Sequence, residues 1–194
     1  MSIPLSTRDW LIIAFEEPID RINESYYFDR RDNQFFSIFI TDYLFLTDTE
    51  STIDPPYTDP EMDILYDRIG RIDSQDPLIV EIPRLNISER KQMLFDFFNS
   101  NPDFCDRSDI ERIVNNETGK HLFKISDEFN QDALNKWDIY KSGQIINKVE
   151  TFLNLSNINI ESATLWTDKK VTRIEFDLKK KETPKKPKAW WKFW

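Results

Sequence analysis

The sequence predicts an α+β fold. Its segments run in the order helix, strands, helices, hairpin, rather than in the strand–helix alternation of a parallel sheet. Its second half carries apolar residues at helical spacing, and residues 171–178 alternate Ile174, Phe176 and Leu178 with Arg173, Glu175 and Asp177, a period of two. A chain of 194 residues without a disulfide pair is long enough for one domain with a real core. The predicted architecture is a single domain over residues 1–178: an N-terminal helix, a small antiparallel sheet, a helical second half and a C-terminal β-hairpin. Residues 179–194 follow as a flexible basic tail tipped with aromatics.

Each element has a local reason. Thr7 can cap a first helix with Trp10, Leu11, Ala14 and Phe15 inward, closed by Pro18. Ser25, Tyr26, Tyr27 and Phe28 read as a strand, and Arg30, Arg31, Asp32 and Asn33 as a turn. Residues 34–40 are apolar on both faces, which marks a central strand, and Leu44, Phe45 and Leu46 extend it or begin another. The prolines and acids of residues 47–60 make a loop. Met62, Leu65, Tyr66 and Ile69 then recur at helical spacing, and Leu78 to Ile82 form a short strand stopped by Pro83. Ser88 is placed to cap a helix with Met93, Leu94, Phe97 and Phe98 on its inner face. Ser108 and Glu111 match a capping box ahead of Ile110, Ile113 and Val114. A long helix over residues 131–153 turns Leu134, Trp137, Ile145, Val149, Phe152 and Leu153 inward, with Gly143 as a candidate bend.

Composition narrows the chemistry. The chain holds three separated glycines, so no Gly-rich phosphate cradle is present. Cys105 and His121 are alone in their kinds and cannot supply the four soft ligands of a structural zinc site. The same pair is the one possible Cys–His dyad, and Cys105 stands between Asp103 and Asp106, where negative charge disfavours a thiolate. Asp54, Asp59, Glu61, Asp63 and Asp67 are close enough in sequence for a hard-cation site, but they lack the spacing of a calcium loop and read as a solvated acidic face. Tyr26, Phe28, Phe35, Phe36 and Phe39 could stack nucleotides. Such sheets come with basic residues, and this one has few beyond Arg30 and Arg31, so core packing is the expectation. No apolar run approaches the length of a membrane span, and a single cysteine fits a reducing compartment.

Charge is unevenly placed. From residue 179 onward the chain carries seven lysines and one glutamate, a net of +6; the whole is −9, so residues 1–178 hold −15. Three of the six tryptophans fall in the last five residues. Pro184 and Pro187 stiffen residues 179–188 toward an extended form, and the tip is left to dock on a partner, on a membrane face or on the protein's own acidic body.

Several of these segments together resemble an uncharacterised bacterial family, number 0158 of the UPF series. The resemblance rests on the strand Tyr26, Tyr27, Phe28, Asp29; on Ile82, Pro83 and Arg84 leading into a helix with Asp96, Phe97 and Phe98; on Gly119, Lys120, His121, Leu122, Phe123 and Lys124; and on Trp137 with Tyr140 near the start of the last helix. It covers roughly residues 24–160. Asn33 or Gln34 stands where the family hairpin often has Gly, and the final hairpin and tail lie outside the pattern. The resemblance implies one α+β domain of bacterial cytoplasmic origin and supplies no catalytic residue.

The expected function is that of a non-catalytic cytoplasmic interaction or adaptor protein. Its binding element is the tail, through Lys185, Lys186, Lys188, Trp190, Trp191, Lys192, Phe193 and Trp194, which would dock on a protein partner or an anionic membrane surface. No catalytic, cofactor or metal residue is assigned, no cofactor is expected, and direct nucleic-acid binding by the acidic body is disfavoured. The alternatives are a carboxylate- and metal-dependent hydrolase and an acidic mimic of nucleic acid.

Overall fold

A computed structural model of the chain describes residues 6–16, 24–47, 57–118, 123–126 and 129–166, apart from the side chains of residues 44–47. The second arm of the expected hairpin and the whole tail lie outside these residues. The described chain is an α+β domain with elements α1 (Thr7–Glu16), β1 (Glu24–Asp29), β2 (Gln34–Phe39), α2 (Ile40–Thr47), α3 (Asp59–Asp73), β3 (Ile79–Glu81), α4 (Ile87–Ser100), α5 (Ile110–Glu117), α6 (Gln131–Leu155) and β4 (Thr164–Leu165). The four strands form one sheet in the order β3-β1-β2-β4. β1 runs antiparallel to β2 and to β3, while β4, the first arm of the expected hairpin, adds parallel to β2.

The sheet is covered on both faces, as the unbroken apolar run of β2 implies. One face carries Tyr26, Phe28 and Phe35 into a large core with Leu11, Phe15, Leu94, Phe97, Trp137, Ile145 and Val149 from α1, α4 and α6. The other carries Phe36 and Ile38 into a smaller core with Tyr57, Met62, Leu65 and Ile69, most of it on α3. Strand alternation sorts the residues: neighbouring side chains on β1 and β2 point into different cores. The nucleotide-stacking alternative for these aromatics fails here, because Tyr26, Phe28, Phe35 and Phe36 are all buried.

Several local readings are corrected. The first helix is capped by Ser6, whose Oγ accepts the Asp9 N–H at 3.1 Å; Thr7 is already its first helical residue. Asn86, not Ser88, caps α4: Asn86 Oδ1 accepts the Glu89 N–H at 2.9 Å, and Glu89 Oε2 accepts the Asn86 N–H at 2.9 Å. The box read at Ser108 does not form. Asp109 takes the cap position in helical conformation (φ −95°, ψ −13°), makes no side-chain cap bond, and lies 3.2 Å from Arg112 Nη2. Residues 44–46 belong to a helix rather than a strand. Asp42, in the first turn of α2, reaches back to accept the Phe39 N–H at 2.8 Å, and so turns the chain from β2 straight into α2. On α3, Tyr66 points outward and Arg68 takes the inner position. Gly143 sits inside the unbroken run of α6, exposed, with open space where a Cβ would stand.

Candidate functional site

The densest polar arrangement among the described residues is built where β1 ends against α3. Alternation along β1 puts Tyr27 and Asp29 on the α3 face, because Tyr26 and Phe28 fill the other core. The carboxylate of Asp29 is completely buried. On α3, the 3.6-residue period that turns Leu65 and Ile69 inward also carries Arg68 inward and sets Arg71 one turn further along.

Arg71 grips Asp29 with both ends of its guanidinium: Nη1 donates to Oδ2 at 2.6 Å and Nη2 to Oδ1 at 3.0 Å. Its Nε donates to Asp76 Oδ2 at 2.6 Å, so one arginine joins two carboxylates from different segments. The Arg31 backbone N–H adds a bond to Asp29 Oδ1 at 2.9 Å, and the Arg31 side chain pairs with Asp67. Burial pushes the Asp29 carboxyl up, but the Arg71 hydrogen bonds, the Arg31 N–H and the field of both arginines outweigh it, and the group lies below the usual carboxylate range. Asp67 is lowered mainly by its bond to Arg31, and Asp76 by its bond to Arg71.

Arg68 is the most enclosed of these cations, with no exposure at all. Its Nη2 donates to Gln34 Oε1 at 2.6 Å, and its head lies 3.7 Å from Asp29 Oδ2 and 3.5 Å from Asp32 Oδ2. The guanidinium packs 4.3 Å from the centre of the Phe36 ring and 5.1 Å from that of Trp166, so two aromatic faces supply part of what water would. Among the described residues, its Nε and Nη1 find no hydrogen-bond partner. Burial lowers its pKa, and Asp29 and Asp32 pull it back.

Beside this cluster, at the β3 edge of the sheet, a cleft of about 270 Å³ opens. Half-buried Tyr27, Ile72 and Ile79 form its floor; Gln75, Pro77 and Glu81 are its exposed rim, and Asp76 stands between. Burial, with a smaller push from Glu81, raises the Tyr27 phenol above its usual value, so it is protonated at neutral pH.

The chain matches no protein-family model, no curated protein and no solved structure.

The described residues among those singled out in the sequence are not brought into one site. Cys105 is partly buried on the turn before α5; burial first, then Asp109 and Asp106, raise its thiol. His121 lies outside the described residues, as do Asp54 and all eight tail residues. Of the other acids considered for a cation, Glu61 accepts from the Thr58 N–H at 2.7 Å and Asp67 is held by Arg31. Among the described residues, no group of three or more His, Cys, Asp or Glu side chains could hold a metal ion. No described helix is long and apolar enough to cross a membrane. Sequence reasoning missed the arginine cluster itself. The available signals were an arginine at core spacing on α3, between Leu65 and Ile69, and an aspartate closing an otherwise aromatic strand.

Proposed function

We propose that this protein is a non-catalytic cytoplasmic interaction protein. Its α+β body acts as a scaffold, and residues 179–194 are its docking element for an anionic surface. The observation that carries the reading is the segregation of charge and aromatics along the chain: −15 on residues 1–178, +6 with three tryptophans beyond them. The described body supports it. Arg31, Arg71, Lys141 and Lys148 each sit on a carboxylate within the domain, on Asp67, Asp29, Glu16 and Glu89 respectively. Cations tied in this way are poorly placed to meet an anionic partner, while the tail concentrates lysines next to indoles. Tryptophan and lysine together suit the boundary between an apolar and an anionic phase.

The hydrolase alternative draws less support. The carboxylates of Asp29, Asp67 and Asp76 are each paired with a guanidinium group. The resemblance to the bacterial family adds a cytoplasmic setting to the proposal and no activity.

The anionic surface can belong to a protein or to a membrane. Recovery of partners from the native cell by the full chain, compared with a chain lacking residues 189–194, tests the protein arm; flotation with anionic vesicles tests the membrane arm. Loss of binding on deletion in either arm is expected. Unchanged recovery in both overturns the proposal.

A further inference from the structure

The cleft at the β3 edge has the chemistry of a site for a long cationic side chain. Its floor of Tyr27, Ile72 and Ile79 offers apolar surface to an alkyl stem, and the Glu81 carboxylate stands at its rim. Among the described residues Glu81 has no hydrogen-bond or ion-pair partner, unlike Asp76, which is bound by Arg71 and by the Leu78 N–H at 2.9 Å. A lysine laid across the floor would bury its methylenes and bring its ammonium to Glu81, within reach of the Gln75 amide oxygen. The nearby cations do not fill this role. Arg71 is bound to Asp29 and Asp76, and Arg84 lies over the Tyr26 ring at 5.6 Å, from where its charge also acts weakly on the Tyr27 phenol.

We propose that this cleft takes a lysine of the chain's own basic segment, residues 179–192, within the same copy. The proposal rests on the docking role given to that segment and adds its resting place. Charge complementarity favours it, since the segment is the strongest concentration of positive charge in an acidic chain. Geometry allows it. The last described residue before that segment is Trp166, whose N–H donates to the Phe35 carbonyl at 2.8 Å. That places Trp166 level with Phe36, which pairs with Tyr27, which in turn pairs with Glu81. Trp166 and the cleft therefore lie in one cross-strand row on one face, three strand spacings or about 14 Å apart. With residues 171–178 kept as the expected hairpin arm, Lys188 and Lys192 lie ten and fourteen residues beyond Leu178, a reach of about 33–46 Å when extended, enough to pass around α3. Docking in the cleft would hold the segment against the body until a stronger anionic surface competes for it.

Zero-length carbodiimide coupling of the full chain, read by peptide mapping, tests this directly. At low salt Glu81 should couple to lysines of residues 179–192 within one copy, several-fold more than the exposed Asp63 and Asp138. Gln75→Lys, which leaves the Glu81 carboxylate in place but puts a competing cation at the rim, should reduce that coupling several-fold, as should salt near 1 M. Coupling spread evenly over exposed acids, coupling only between copies, or indifference to Gln75→Lys overturns the proposal. These outcomes are separate from those for the docking role. Cleft coupling with no tail-dependent partner or vesicle binding retains the cleft and removes the function, and the reverse pattern does the opposite.

Discussion

Arg71 and Asp29 form a two-pronged ion pair between the last turn of α3 and the end of β1, with N–O distances of 2.6 and 3.0 Å. Asp29 is wholly buried, and the pair ties α3 to the sheet alongside the apolar packing of Leu65 and Ile69 on Phe36 and Ile38. Removing one partner of such a pair strands the other in a poor dielectric. Asp29→Asn should therefore cost about 3 kcal/mol, measured by urea unfolding. A loss below about 1 kcal/mol would show that α3 is held by its apolar face alone.

The same cluster sets an acid limit. The Asp29, Asp67 and Asp76 carboxyls are each lowered in the folded protein. A depressed folded pKa contributes stability that is present above the unfolded value, about 3.9, and is lost as pH falls through the folded value. Unfolding midpoints should stay level from about pH 7 to pH 5 and drop below about pH 4. Asp29→Asn should flatten that drop. A steep loss of stability between about pH 5 and pH 7 would place the controlling groups elsewhere.

Trp137 anchors the larger core. It is buried to 1 % exposure, meets Phe97 and Phe123 edge-to-face at 5.2 Å, and donates its indole N–H to the Phe123 carbonyl at 3.2 Å. Trp137→Ala should cost about 3–5 kcal/mol, and Trp137→Phe, which keeps an aromatic ring but strands that carbonyl, clearly less. Thermal or urea melts of both variants check the order.

Gly143 offers the opposite test. It is exposed in the middle of α6, with nothing within 4 Å of the position a Cβ would take. Alanine there removes the entropy cost of a helical glycine, so Gly143→Ala should stabilise the protein by about 0.5–1 kcal/mol. Destabilisation would mean that the glycine serves a contact outside the described residues.

The apolar framework was legible because it rests on periodicity. The two-faced apolar run of β2 placed it inside the sheet, and Met93, Leu94, Phe97 and Phe98 marked the inner face of α4. The caps were read one or two residues off. Ser, Thr, Asn and Asp crowd these boundaries, and the backbone conformation selects among them, as it does at Asn86 (φ −76°, ψ 167°) over Ser88. Leu44, Phe45 and Leu46 misled because a short apolar run has no period of its own. The deciding bond, from the Phe39 N–H to Asp42, is a local cap rather than a hydrophobic signal. The arginine cluster was hidden for another reason. A buried arginine is recognised by its partners, and Asp29 is 39 residues away from Arg68 in sequence but 3.7 Å away in space. The cleft likewise joins β1, β3 and the end of α3, which no local pattern links.

The central claim is that the aromatic tip and its lysines carry this protein to an anionic surface. Its most direct membrane test is the fraction of full-length protein that floats with anionic vesicles at low and high salt, beside a variant with Trp190, Trp191, Phe193 and Trp194 replaced by serine. Each lysine near such a surface contributes about 1 kcal/mol, and half-burying the four rings, roughly 800 Å² of side chain, about 10 kcal/mol before ordering costs. The account predicts reversible binding at low salt, marked weakening at high salt, and near-complete loss in the serine variant. Equal flotation of the two proteins, or none by either together with partner recovery that ignores the tail, would contradict it.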